Sequence, residues 1–228
     1  MTPLPDLEDQ GAEAVLAWVE ATFGAHAAIA ASFGIEDVVL IDLARRCAPS
    51  VKVFTIDTGR LHPETYQVME EVRARYQITV ESWFPQAREL EALTTERGHF
   101  SFRSGVEARR QCCGVRKVEP LARALVGRKA WLTGLRREQS SDRSAVKVVD
   151  VDQQHGDILK INPLATWTEE QTWAHVRAHR LPYNRLHDAG FPSIGCAPCT
   201  RAVQPGEAAR AGRWWWEQHG HKECGLHR

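Results

Sequence analysis

Apolar residues along the chain alternate between two spacings, and the changes of spacing divide it into strands and helices. Residues 11–23 set Val15, Trp18, Val19 and Phe23 three and four positions apart, which predicts an amphipathic helix. A short apolar run, Ala27 to Ala31, predicts a buried strand, and Ser32-Phe33-Gly34-Ile35-Glu36-Asp37 a loop. A second helix is expected over Val38 to Arg46. The cycle then repeats. Val51 to Ile56 reads as a strand, Asp57-Thr58-Gly59 as its loop, and a helix opens at Pro63, where proline suits the first turn. Ile78 to Trp83 follows as a strand, with a helix over 86–96.

The rhythm breaks over 98–116. Gly98, Ser101, Ser104 and Gly105 predict irregular backbone, and a helical stretch from Glu107 runs into Cys112 and Cys113. A helix resumes over Val115 to Val126, with Pro120 as its bend or fresh start. Lys129 to Thr133 is a fourth strand, and Gly134 opens a loop holding Arg136, Arg137 and Arg143. Val146 to Val151 and Ile158 to Ile161 read as two more strands across the polar turn Asp152 to Asp157. Thr168-Glu169-Glu170-Gln171 is a capping box for a helix reaching Arg180. Pro182, Gly190 and Pro192 mark a loop-rich stretch, and a last helix is expected over Ala208 to His219. Alternation of strand and helix predicts an α/β fold, a mostly parallel twisted sheet with helices on both faces. With no repeat or linker, residues 1–219 read as a single domain and 220–228 as a mobile tail.

Composition narrows the function. The 228 residues carry 29 Lys and Arg against 29 Asp and Glu, which argues against nucleic-acid binding by bulk charge. No apolar stretch approaches the roughly 20 residues of a membrane span, so no membrane is expected. Met1 to Asp6 has neither the basic nor the apolar part of a signal peptide. The expected location is cytoplasmic, where thiols stay reduced and clustered cysteines mean metal or catalysis.

There are six cysteines. Cys47 ends an apolar helix and reads as a core residue. Cys112-Cys113 and Cys196-Ala197-Pro198-Cys199 form a candidate four-sulfur metal site from two distant segments. Zinc sites usually take pairs spaced Cys-x₂₋₄-Cys. Adjacent α-carbons are about 3.8 Å apart, and on a helix their side chains diverge by roughly 100°. Two such sulfurs reach different irons of a cluster more easily than one ion, so the spacing favours [4Fe–4S] over a Cys₄ zinc site, which stays open. Cys224 stands alone near Lys222 and His227, cations that favour the reactive thiolate. Arg116 and Lys117 follow the cysteine pair, and Arg210 and Arg213 precede Trp214-Trp215-Trp216. Arginines grouped in loops suit a multiply charged anion. The tryptophans are read first as packing and second as a stacking surface for a base.

Taken together these segments resemble the assimilatory adenylyl-sulfate (APS) reductases of the phosphoadenylyl-sulfate (PAPS) reductase family. The matching pieces are Ser32 to Asp37, Asp57-Thr58-Gly59-Arg60-Leu61, Cys112-Cys113-Gly114-Val115-Arg116-Lys117, Thr133 to Ser140, Cys196-x-x-Cys199 and Glu223-Cys224-Gly225-Leu226-His227, in family order. The resemblance implies an adenine-nucleotide α-hydrolase-like fold and thioredoxin-dependent reduction of APS to sulfite and AMP, a step towards cysteine biosynthesis. It implies that Cys224 attacks the sulfate sulfur to give a thiosulfonate, which a thiol of thioredoxin (or glutaredoxin) resolves. Cys112, Cys113, Cys196 and Cys199 map onto the [4Fe–4S] ligands, and His227 and Lys117 onto the reacting centre. Ser32, Phe33, Gly34, Asp37, Asp57, Thr58, Gly59, Arg136, Arg143, Arg210 and Arg213 map onto substrate contacts.

Three alternatives accompany this reading. PAPS, alone or beside APS, is the rival substrate, although PAPS reductases generally lack the four cluster cysteines. An ATP-pyrophosphatase-type adenylating enzyme would carry a Ser-Gly-Gly-x-Asp-Ser loop, from which Ser32 to Asp37 departs. A zinc-stabilised nucleic-acid module fits neither the neutral charge nor the solitary Cys224. The sequence leaves room for a homo-oligomer.

Overall fold

The structure, a computed structural model, describes residues 4–217. Cys224, His227 and the expected tail over 220–228 lie outside the described residues. The chain divides into two compact units: residues 4–55, 65–81 and 127–184 form the first, and 56–64, 82–126 and 185–217 the second.

A six-stranded sheet frames the first unit. Its strands are β1 (Ala27–Ala30), β2 (Lys52–Ile56), β3 (Val80–Trp83), β4 (Ala130–Leu132), β5 (Val149–Asp152) and β6 (Ile158–Ile161), in the order β3-β2-β1-β4-β6-β5. Ile29 of β1 lies in parallel register with Val53 on one side and Leu132 on the other, and Leu132 with Ile161. β5 runs antiparallel to β6, opposing Val151 to Leu159. β4 is buried throughout, as a central parallel strand covered on both faces must be. The chain leaves β1 in one direction for β2 and β3 and returns on the other side for β4. In an open α/β sheet that reversal opens a crevice at the carboxyl ends of the two central strands. The segments 31–34 and 133–136 lie there.

The helices of this unit are α1 (Ala12–Thr22), α2 (Ile35–Cys47), α3 (Pro63–Tyr76), whose first turn belongs to the second unit, and α7 (Glu169–Ala178). α2 starts three residues before the sequence pattern predicts. Gly34 takes the extended N-cap conformation, so Glu36 and Asp37 sit in the first turn, where acidic side chains complement the positive end of the helix. Ile35, Val38, Val39, Leu40, Ile41, Leu43 and Ala44 bury almost the whole circumference of α2. α7 has its capping box: Gln171 N donates to Thr168 Oγ1 at 3.1 Å, and Thr168 N to Gln171 Oε1 at 2.8 Å.

The second unit has α4 (Ala87–Arg97) and a continuous helical run from Val106 to Leu125. That run is α5 (Val106–Cys113), a π-helical turn (Gly114–Val118) and α6 (Glu119–Leu125). Gly114, φ −55° and ψ −55°, stays helical, so the two helices expected here are one interrupted rod. Pro120 sits in the first turn of α6 and breaks nothing. A separate small core joins Phe102, Cys112, Cys196, Cys199 and Trp214.

The helix expected over Ala208 to His219 is absent among the described residues, which form turns up to 217. Long-range backbone bonds replace it. Arg201 N donates to Gly212 O at 3.0 Å, Trp214 N to Cys199 O at 3.1 Å, and Thr200 bridges Arg213 antiparallel. A side chain at Gly212 would collide with the Arg201 carbonyl, so that close pairing needs a glycine.

Candidate functional site

At the sheet crevice, Asp37 holds the turn after β1. Its Oδ2 accepts from Ser32 N at 2.6 Å and Ser32 Oγ at 2.8 Å. Gly134 crosses so near that a Cβ there would stand 2.7 Å from Asp37 Oδ1 and 2.8 Å from Glu36 Cβ. Phe33 carries a positive φ of 60°, an uncommon conformation for an aromatic residue, with its ring buried in the core. Phe33 therefore offers this turn its backbone, while Ser32 is exposed. Burial is the largest influence on Asp37; it outweighs the Ser32 hydrogen bonds and pushes the carboxyl up to about 6. Arg136 is buried and already paired, donating to Glu36 Oε1 at 2.9 Å and Glu138 Oε2 at 3.0 Å. Gln139 donates to the same Glu36 oxygen at 2.9 Å and accepts from Arg143. Ser32, Phe33, Gly34, Asp37, Arg136 and Arg143 are thus gathered in the first unit, two of the cations through Glu36 and Gln139.

The second unit collects the cysteines. Cys112 and Cys113 end α5, and Cys196 caps a single helical turn, Ala197–Cys199, that Cys199 ends. All four are buried and line one cavity with Lys117, Arg116, Arg60 and Arg213. No disulfide joins the described cysteines. The Asp57-Thr58-Gly59 loop braces this cavity: Thr58 Oγ1 lies 3.4 Å from Cys196 Sγ, and Thr58 O accepts from Arg116 Nη1 at 2.5 Å. Asp57 Oδ1 closes the loop by accepting from Gly59 N at 2.8 Å. Arg60 O accepts from Ala197 N at 2.8 Å, tying the Cys196 turn to the same loop.

The charges here favour thiolate unevenly. Burial pushes Cys196 up most strongly, yet the Lys117 ammonium, the Thr58 hydroxyl, and Arg213 and Arg116 outweigh it and hold the thiol below its ordinary value. Cys199 is pushed up to about 12, by burial and then by Cys196 beside it. Cys112 is raised by burial against the pull of Arg60 and Arg116. Four thiolates so placed repel one another, which a bound metal centre reverses.

Arg213 is buried against Trp214, its guanidinium 4.7 Å from the ring centroid, and donates to Ser193 Oγ at 3.2 Å. A Cβ at Gly195 would overlap that guanidinium. Arg109 also stacks on Trp214, at 4.4 Å, and pairs twice with Glu217, Nε to Oε1 at 2.5 Å and Nη2 to Oε2 at 3.0 Å. Trp214 is thereby a packing residue, buried to 1% exposure. Arg210 is half-buried on the same segment. Sequence reading missed Arg109, Glu217 and the contact of Thr58 with Cys196. Their partners stand 108 and 138 residues away, and no local pattern announces them.

Residues 26–202 match the model of the phosphoadenosine phosphosulfate reductase domain. The chain belongs to that family. It is 50% identical over 199 residues to the adenosine 5'-phosphosulfate reductase of Pseudomonas aeruginosa (strain LESB58), covering 85% of this chain and 74% of that one. The protein of the same name from Allochromatium vinosum is also 50% identical, over 87% of this chain and 77% of its own. Among solved structures, the phosphoadenylyl-sulfate reductase of Candida auris, a phosphate complex, superposes with a TM-score of 0.73 at 30% identity, covering 88% of this chain and 98% of that one. The family match ends before Arg210, Arg213 and Glu217, whose placement rests on the contacts above.

Proposed function

We propose that the protein reduces adenylyl sulfate to sulfite and AMP in assimilatory sulfate reduction. The observation that carries this reading is the gathering of four cysteines with Lys117, Arg116, Arg60 and Arg213 around one cavity, in a chain half identical to proteins named for that reaction. Cys224 thiolate attacks the sulfate sulfur, the S–O bond to the phosphate breaks, and AMP leaves with its electron pair. A thiol of thioredoxin or glutaredoxin then attacks Cys224 Sγ, sulfite departs, and the second thiol resolves the mixed disulfide. Bringing a thiolate to a multiply charged anion costs Coulomb energy, which Lys117, Arg210 and Arg213 offset. His227 assists Cys224 at the reacting centre. Ser32, Gly34, Asp57, Thr58 and Gly59 serve the nucleotide, with the Asp57 and Thr58 side chains bracing their own loop by accepting from Gly59 N and Arg60 N.

Cys112, Cys113, Cys196 and Cys199 would hold a [4Fe–4S] cluster. A tetrahedral ion with thiolates at about 2.3 Å sets its sulfurs about 3.8 Å apart. In a [4Fe–4S] centre each thiolate takes a different iron, which the adjacent Cys112 and Cys113 reach without converging on one point. Such a cluster, when bound, supplies charge and order to the site, while the chain's own groups carry the chemistry. No described helix is long and apolar enough to cross a membrane. We place the protein in the cytoplasm because clustered thiols stay reduced there.

Mass spectrometry after incubation with APS alone tests the reading. A sulfonate adduct on Cys224, missing from Cys224→Ser, is the expected result; sulfite release by Cys224→Ser would refute it. Steady-state assays with both nucleotides decide between APS and PAPS, and APS is expected to be preferred.

A further inference from the structure

We propose that the first unit carries a second metal site, for a divalent transition metal of the zinc class, formed by Asp42, His175 and His179. Their ligand atoms all lie within 4.8 Å of one another, the one such group among the described residues. Asp42 comes from the middle of α2, His175 from the last turns of α7, and His179 is the residue that ends α7. Histidines four apart share a helix face, the spacing by which two imidazoles reach one ion. His175 Nε2 stands 2.9 Å from Asp42 Oδ2, and the two imidazole rings face each other at 4.2 Å with a 31° tilt. Two imidazoles and a carboxylate are a donor set suited to zinc, with the fourth tetrahedral position left to water.

The surroundings are built to hold that set. Tyr76 Oη donates to Asp42 Oδ1 at 2.8 Å, which turns the carboxylate and leaves Oδ2 towards the histidines. An outer hydrogen bond to a ligating carboxylate commonly orients it for metal. Trp167 packs edge-on to His175 at 5.7 Å and limits its rotation. Arg75 donates to His179 O at 2.8 Å and Arg180 O at 3.0 Å, fixing the backbone where α7 ends. The opposing charge is Arg46, whose Nη2 is 3.3 Å from Asp42 Oδ2. Its side chain is 47% exposed and already has Glu13 at 3.4 Å, so it can release Asp42 to an arriving ion and keep a partner. Asp42 is buried while His179 is exposed, so the ion enters from solvent and, once bound, staples α7 to α2. The two histidines are the exchangeable side of the site, and the carboxylate its anchor.

The test uses Co²⁺ titrated into the full-length protein as purified, with its cysteine site filled. Cobalt bound by imidazole and carboxylate shows ligand-field bands without the intense thiolate-to-cobalt absorption that cysteine ligation gives. The expected result is one equivalent of this thiolate-free kind, displaced by Zn²⁺ and lost in His179→Ala. Tyr76→Phe should retain it with affinity weakened by roughly tenfold or more. His179 is exposed, so the variant is expected to fold, which its metal-free melting temperature checks. His221→Ala, a histidine outside this group, should keep the equivalent. Absence of a thiolate-free equivalent in the parent protein would overturn the proposal, as would its survival in His179→Ala. Neither readout depends on reductase activity, so this site stands or falls apart from the function proposed above.

Discussion

Replacing Glu217 by glutamine would take the Glu217 charge away from the buried Arg109 guanidinium. The Arg109 side chain is 2% exposed and that of Glu217 5%, and two hydrogen bonds join them in parallel. Breaking a buried pair by removing one partner costs about 3–5 kcal/mol, mostly the penalty of an uncompensated charge. Trp214, stacked on Arg109 at 4.4 Å, returns a cation–π share of about 1 kcal/mol, which glutamine does not remove. Glutamine also keeps one acceptor, so the expected loss lies near the lower bound, about 3 kcal/mol. With a urea slope of about 2 kcal/mol per molar, the unfolding midpoint should fall by about 1.5 M. The assay is urea unfolding followed by tryptophan fluorescence, with the visible absorption of the metal centre as a second probe. Arg109→Met combined with Glu217→Leu should recover most of the loss, because the desolvation penalty disappears with both charges. A midpoint for Glu217→Gln within about 0.3 M of the parent would refute this account, as would a double variant less stable than both single variants.

Three further outcomes are expected. Asp37 has its carboxyl raised by burial to about 6 from 3.8, so the fold prefers it protonated. That contribution is complete below about pH 4 and is lost as pH rises to about 6; the melting temperature of the parent relative to Asp37→Asn should therefore fall across this window and level off above it, and a difference flat from pH 4 to 7 would contradict the assignment. Gly195→Ala should push the Arg213 guanidinium aside and lower kcat/KM for APS by about tenfold while the absorption of the metal centre is retained, read by steady-state kinetics beside visible spectra. Lys117→Ala should keep its metal content but lose most of the rate of Cys224 adduct formation, measured by time-resolved mass spectrometry; unchanged kinetics would remove Lys117 from the reacting centre.

The sheet was legible because its strands are short apolar runs and its helices keep regular spacing; from Ala12 to Ile161 every expected strand has a counterpart within three residues. Boundaries failed where local chemistry was ambiguous. Gly34 looked like loop, and only the helix growing out of it shows that it is an N-cap. Ala208-Ala209-Arg210-Ala211 are mostly helix formers, yet Arg201 and Cys199 claim backbone partners at Gly212 and Trp214 and override that preference. The four cysteines were legible as a set because sulfur is scarce and their spacing unusual. The cations were legible only as a population. Which of them is occupied, as Arg136 is by Glu36 a hundred residues earlier, depends on partners remote in sequence.

In the sequence the strands β4, β5 and β6 intervene between the two cysteine pairs, Cys112-Cys113 and Cys196 to Cys199. During synthesis Cys112 and Cys113 leave the ribosome long before Cys196 and Cys199 exist. For that interval two adjacent thiols wait without the Cys196–Cys199 turn that lines the same cavity. They are then open to oxidation or to capture of a wrong metal. Loading of the cluster proposed above would consequently be a late event in the life of each molecule, and it would cross-link the chain across a long loop, a closure worth about 4–5 kcal/mol against the unfolded state on the scale known for disulfides. Yield of correctly loaded protein should depend on oxygen and metal supply during translation more than on the intrinsic stability of the sheet.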